Sequence, residues 1–140
     1  MSLIFWDTNL FIYLLEGHGA LYERVVALRK SMLARGDQLA TSSLTLGEVL
    51  VKPIELQNLE LIAKYEKSIQ AAALLIPFDV RAARIYAELR CDRSIRPPDA
   101  IQLACASAAG VDLFITNDER LSVKHVEGVQ FIASLARAPL

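Results

Sequence analysis

Apolar positions along the chain fall into two patterns: short unbroken runs, and longer stretches in which they recur every three or four residues. Leu3-Ile4-Phe5-Trp6 is of the first kind. Four apolar residues in a row, without the alternation of a half-exposed strand, predict a strand covered on both faces. Thr8 and Asn9 then suit a helix start, and Leu10 to Leu15 carry a short apolar helix toward a stop at Gly17. From Ala20 to Arg35, the positions Leu21, Val25, Leu28 and Met32, with Val26 beside them, mark an amphipathic helix ending at Gly36.

The same alternation continues to the end. Leu39-Ala40-Thr41-Ser42 predicts a second strand, and Ser43 or Thr45 caps a helix that holds Glu48 and stops near Pro53. Gln57 to Ala72 forms another helix with a polar face at Glu60, Lys64 and Lys67. Ala73 to Phe78 makes a third strand with Pro77 near its end, and Asp79 opens a helix to about Arg90 whose buried stripe is Ala82, Ile85, Tyr86 and Leu89. Pro97 and Pro98 suit a helix start, so Asp99 falls in the first turn of a helix that runs to Gly110. Asp112 to Thr116 supplies a fourth strand, Val129 to Ile132 a fifth, and the residues after Leu135 read as a tail.

Strands separated by helices of ten or more residues argue for right-handed βαβ units and a parallel sheet covered on both sides. The expected fold is therefore a three-layer α/β/α sandwich. No repeat, low-complexity tract or linker divides the chain, so residues 1–140 form one domain, long enough for a full apolar core.

Composition adjusts this picture in three ways. Hydrophobic residues make up 54% and charged residues 22%, which is apolar for a globular chain and compatible with a buried oligomer surface. No apolar run reaches the roughly 18 residues that would span a bilayer, and no basic segment followed by a signal-like core stands at the start; a cytoplasmic protein is expected. Cys91 and Cys105 have no partners at metal-ligand spacing and read as ordinary thiols. The net charge of -1 removes the simplest argument for nucleic-acid binding, a strongly basic domain. A local patch remains: Arg90, Arg93 and Arg96 precede Asp99, where they either grip phosphates or form a solvated loop.

The candidate chemistry lies in the acids. Asp7 follows the first strand, Glu48 lies in the helix after the second, Asp99 opens a helix, and Asp118 follows the fourth strand. In a parallel sheet, the strand ends that feed helices lie on one edge, where ligands bind. Asp7, Glu48 and Asp118 can converge there, and Asp99 joins them if its helix starts beside that edge. Carboxylates so placed repel one another unless cations are present. Oxygen-only ligands favour hard ions such as magnesium or manganese, and such a site suits hydrolysis of a phosphodiester backbone.

With these acids go four short motifs: Phe5-Trp6-Asp7-Thr8-Asn9, Glu48 after the second strand, Pro98-Asp99-Ala100-Ile101-Gln102-Leu103-Ala104, and Phe114-Ile115-Thr116-Asn117-Asp118. In this order and at these spacings the chain resembles a PIN domain, and within that family it is similar to the compact VapC-type ribonuclease toxins. The resemblance covers nearly all 140 residues. It implies a five-stranded parallel sheet of order 3-2-1-4-5, cleavage of RNA dependent on Mg2+ or Mn2+, homodimers, and an antitoxin partner. It also implies that Asp7 and Asp99 are direct metal ligands, with Glu48 and Asp118 completing the acidic pocket. Thr116 supports the site through its hydroxyl, and Asn9 does likewise near Asp7. The chain departs from the family pattern at Arg96-Pro97-Pro98, and at Glu119-Arg120-Leu121, where an acid followed by phenylalanine is frequent.

Plainer roles compete for each acid. Asp7 suits an N-cap, Glu48 a solvent-facing helix position, Asp99 a complement to the helix dipole, and Asp118 a turn. Two other functions compete for the whole: a non-catalytic module that binds RNA or protein, and phosphoryl transfer through an aspartyl-phosphate. The last prefers a second aspartate two positions after the first, where this chain has Asn9.

Overall fold

Strands and helices alternate through residues 1–139, which the computed structural model describes. β1 (Leu3–Trp6) leads into α1 (Thr8–Glu16) and α2 (Ala20–Arg35). β2 (Gln38–Ser42) is followed by α3 (Ser43–Glu55) and α4 (Leu59–Ala72), and β3 (Leu74–Ile76) by α5 (Val80–Leu89) and α6 (Pro97–Ala109). β4 (Leu113–Thr116), the one-turn α7 (Glu119–Ser122) and β5 (Phe131–Ser134) complete the set.

The five strands form one parallel sheet of order β3-β2-β1-β4-β5, the order the resemblance implied. β1 is central because both its faces are apolar. Phe5, in register with Ala40 and Phe114, faces α5 and α6, where its ring stacks on Phe114 at 5.0 Å. Ile4 and Trp6 face the opposite layer with Leu10, Leu28, Met32 and Val49. An apolar run of four residues thus supplies two cores at once, as parallel strands buried on both faces require.

Several boundaries differ from the sequence expectation: β3 is only Leu74–Ile76, with Pro77 and Phe78 beyond it, and α4 starts at Leu59 rather than Gln57. β5 begins at Phe131, two residues later than expected. Val129 is buried, but by packing into the core on the α6 side before the ladder starts. The residues after Leu135 are no loose tail: a 3-10 turn spans Leu135–Arg137, Leu135 and Ala138 are buried, and Arg24 donates to the carbonyls of Leu135 at 3.1 Å and Ala136 at 2.7 Å. Pro53 lies inside α3, which ends two residues later at Glu55. Cys91 is exposed and Cys105 buried, both as free thiols, and burial pushes the Cys105 thiol up to about 11. No helix among the described residues is long and apolar enough to cross a membrane.

The topology fixes where chemistry gathers. β1 and β4 are neighbours, and from their carboxyl ends the chain departs to opposite layers, through α1 and α7. Such a switch point opens a crevice at the carboxyl edge. Asp7 stands on it, its backbone N–H bonded to the Ile115 carbonyl at 2.9 Å.

Candidate active site

Asp7 is 8% exposed and is the N-cap of α1, with its carboxylate accepting the Thr8 backbone N–H at 2.9 Å. The N-cap of α1 and the carboxyl edge of the sheet thus coincide at Asp7. Thr116, at the end of β4, donates to Asp7 Oδ2 at 2.8 Å, and Gln102 on α6 approaches Oδ1 at 3.4 Å. Burial nevertheless dominates: it raises the Asp7 pKa above the ordinary aspartate value despite these donors, with the nearby Glu48 charge adding to the rise.

Asp7, Glu48 and Asp99 line one cleft of about 240 Å3 together with Thr8, Asn9, Ile12, Pro98 and Gln102. Asp99 lies in the first turn of α6, where the helix N-terminus favours an anion. Its pKa is raised, first by burial and then by the charges of Asp7 and Asp118, against the opposing charges of Arg96 and Arg120. Among the described residues it accepts no hydrogen bond, so both of its oxygens are available to a ligand. Glu48 projects from α3 and receives the Thr8 hydroxyl on Oε1 at 2.6 Å. It is solvent-facing as a residue, yet one of its oxygens is tied into the site.

Asp118 is placed differently. It caps α7, and Arg120 holds it through Nε at 3.1 Å and Nη2 at 2.6 Å. That pairing lowers its pKa below the ordinary value. Asp118 is close enough for its charge to act on Asp99, but it does not share the cleft wall with the other three. Among the described residues, no three acidic, histidine or cysteine side chains stand as a ready ligand set for a metal ion.

The supporting residues divide in the same way. Thr116 touches Asp7 directly and also accepts the Asp118 backbone N–H at 3.0 Å. Asn9 bonds the Asn117 N–H at 3.4 Å, joining the start of α1 to the turn after β4 rather than to Asp7. Arg96, the residue before α6, acts electrostatically on both Asp99 and Asp118. Arg93 lines a separate hollow with Arg90 and Cys91.

Sequence reasoning missed a buried polar layer beneath the cleft. Thr8, Thr41, Ser42, Thr45 and Gln102 are all buried, with Gln102 1% exposed. Its amide donates to Thr45 Oγ1 at 2.7 Å and Thr8 Oγ1 at 3.0 Å, and its carbonyl accepts from the Ser42 hydroxyl. A signal was present: a glutamine among Ile101, Leu103 and Ala104, one helical turn after Asp99, is polar on a face that is otherwise apolar. Arg120 was also missed as a counter-charge, because its partner is only two positions away in a stretch too short to read as a helix.

A doubly wound parallel sheet with an acidic cleft at its switch point places the molecule among α/β proteins that bind ligands at the carboxyl edge. A PIN domain family model matches residues 4–126, so the chain belongs to the PIN domain family. Its fold is similar to three solved structures. VapBC2 from Rickettsia felis, bound to a DNA fragment from its promoter, gives a TM-score of 0.75 at 18% identity, covering 94% of this chain and 98% of that one. A toxin-antitoxin complex from Klebsiella pneumoniae gives 0.71 at 21% identity, covering 94% and 97%. DNA-bound VapBC from Salmonella typhimurium gives 0.66 at 17% identity, covering 96% and 99%. A comparison with curated proteins gives no match.

Proposed function

We propose that this PIN domain is a divalent-metal-dependent endoribonuclease of the VapC type, using Mg2+ or Mn2+ and working as the toxin of a toxin-antitoxin pair. One observation carries the reading: a PIN fold in which Asp7, Glu48 and Asp99 share a cleft at the carboxyl edge. Two of these acids have raised pKa values, so the pocket holds negative charge under strain that a cation relieves. The donor set fits a hard ion, being all carboxylate oxygen, with both oxygens of Asp99 and Oε2 of Glu48 open.

In this reading Asp7 and Asp99 hold the ion, and Glu48 and Asp118 complete the acidic set. When bound, the ion supplies Lewis acidity at the phosphodiester and lowers the pKa of water. Thr116 and the Thr8 N–H fix the direction of the Asp7 carboxylate, and Gln102 closes the pocket floor. Arg96 stands beside the acids, where it holds a flanking phosphate of a bound RNA, while Arg120 stays on Asp118. The Rickettsia, Klebsiella and Salmonella relatives are toxin-antitoxin complexes, which supports an antitoxin partner here; a homodimer is the expected assembly.

A second reading, a non-catalytic module that binds RNA or protein, draws on the Arg120 clamp on Asp118 and on the spread of the acids. Calorimetry with Mn2+ and Mg2+, followed by incubation of total RNA and transfer RNA with either ion or with chelator, separates the two. Ion binding with discrete, chelator-sensitive RNA fragments supports the nuclease. A folded protein that binds RNA but neither ion supports the module.

A further inference from the structure

We infer that Gln102 is a positioning residue for Glu48, acting through Thr8 along a one-way chain of hydrogen-bond donors. The chain's direction follows from counting hydrogens. Thr8 Oγ1 lies 2.6 Å from Glu48 Oε1; a carboxylate only accepts, so the single Thr8 hydroxyl hydrogen is committed there. Thr8 Oγ1 then has only lone pairs to offer, and it accepts from Gln102 Nε2 at 3.0 Å. Thr41 Oγ1 lies 2.8 Å from the Trp6 carbonyl, which only accepts, so its hydrogen goes there; Thr45, 2.8 Å from Thr41, gives its own hydrogen to Thr41 and accepts from Gln102 Nε2 at 2.7 Å.

Both amide hydrogens of Gln102 are thereby used, and its Oε1 accepts from Ser42. The opposite orientation of the amide fails. It would set Oε1 against two hydroxyls whose hydrogens are already given away, and beside the Asp7 carboxylate. One line of donors therefore runs to Glu48: Ser42 to Gln102, Gln102 to Thr8, and Thr8 to the carboxylate. Aligned donors polarise one another in a buried setting, which strengthens the last bond.

The consequence lies at Glu48. It sits on the exposed side of α3, where a glutamate side chain otherwise samples several rotamers. The Thr8 bond holds it over the cleft, and Gln102 holds Thr8 in the donating orientation. Gln102 thus links α6, which carries Asp99, to the starts of α1 and α3 and to the end of β2. Its link to a cation rests on the nuclease reading above; its effect on the Glu48 side chain does not.

The test compares Gln102→Met, which keeps nearly the same volume but makes no hydrogen bond, with Thr8→Val and Thr8→Ser. The first readout is the Glu48 side-chain rotamer from NMR scalar couplings in metal-free protein, and the second is Mn2+ affinity. Glu48 is expected in one rotamer in the wild type and in Thr8→Ser, which keeps the hydroxyl, and averaged in Gln102→Met and Thr8→Val. Mn2+ affinity is expected to fall about tenfold in the two averaged variants, the order seen when groups supporting a metal ligand are lost. In a Glu48→Gln background, Gln102→Met should change it little further. If Gln102→Met lowers the melting temperature but leaves Glu48 fixed, Gln102 only fills the core and the inference is overturned. If Gln102→Met does not fold, the Thr8 pair decides, and a fixed Glu48 in Thr8→Val overturns it equally. Wild-type protein that binds no Mn2+ defeats the nuclease reading, while the couplings still decide the role of Gln102.

Discussion

At the scale of single residues, the site is a balance between burial and donors. Asp7 and Asp99 both have raised pKa values, so protonation of each favours the folded state. Their stabilising contribution is fully present below the ordinary value of 3.8 and is lost as pH rises through the folded values. Metal-free protein should therefore lose stability from this pair on going from mildly acidic to neutral pH. Asp99→Asn should flatten that slope and match or exceed the wild type in urea unfolding at neutral pH. A large loss of stability in that variant would make Asp99 structural. The same protons oppose a cation, so Mn2+ affinity should rise with pH through these values and then level off, as calorimetry across pH would show. Thr116→Val removes the donor on Asp7 Oδ2 and the acceptor of the Asp118 N–H. It should cost about 1–3 kcal/mol in unfolding free energy, the usual penalty for buried groups left unpaired. The placement of Asp7, Asp99 and Asp118 was legible because they stand at strand and helix ends, and that of Glu48 because its helix follows β2 directly. Gln102 was not, because its role lies in partners from β2, α1 and α3 that no local pattern in α6 reveals.

At the scale of elements, the strongest local signals were the most faithful. The run Leu3–Trp6, the helix Ala20–Arg35 with its glycine stop, and the diproline start of α6 all lie where the pattern put them. β5 was displaced because it is an edge strand. Phe131 opens it with 64% of its surface exposed, while the buried Val129 lies outside the ladder, so apolar content and strand extent part company there. The turn after Leu135 was missed for a related reason: its anchoring comes from Arg24, more than a hundred positions earlier. The approach to β5 offers its own test. Gly128 has φ +88°, and a Cβ there would lie 2.5 Å from Ser107 Oγ and 2.9 Å from the Ser107 carbonyl. Strained backbone of this kind costs about 1–3 kcal/mol. Gly128→Ala should destabilise by at least that much in urea unfolding and detach the loop from α6, whose Ser107 also donates to the Glu127 carbonyl at 2.6 Å.

At the scale of the whole molecule, the proposed RNA-binding edge of a chain of net charge -1 depends on local cations. Arg96 sits beside the acids, while Arg120 is paired with Asp118 at 2.6 Å and Lys124 with Asp92 at 3.0 Å; hydrogen bonds from Ser94 and then Lys124 take Asp92 down to about 2. Replacing Arg96 by alanine should weaken RNA binding about equally across sequences and reduce the slope of log affinity against log salt by about one. An unchanged slope would place the RNA elsewhere. The central claim is that this edge is a metal-dependent nuclease centre built on Asp7. It is tested most directly by the rate of RNA cleavage with Mn2+ in wild-type protein and in Asp7→Asn of matched circular dichroism, each with and without chelator. The account predicts ion-dependent fragments from the wild type and a loss of at least a hundredfold, about 2.7 kcal/mol of barrier, in Asp7→Asn. Equal cleavage by the two proteins would contradict it.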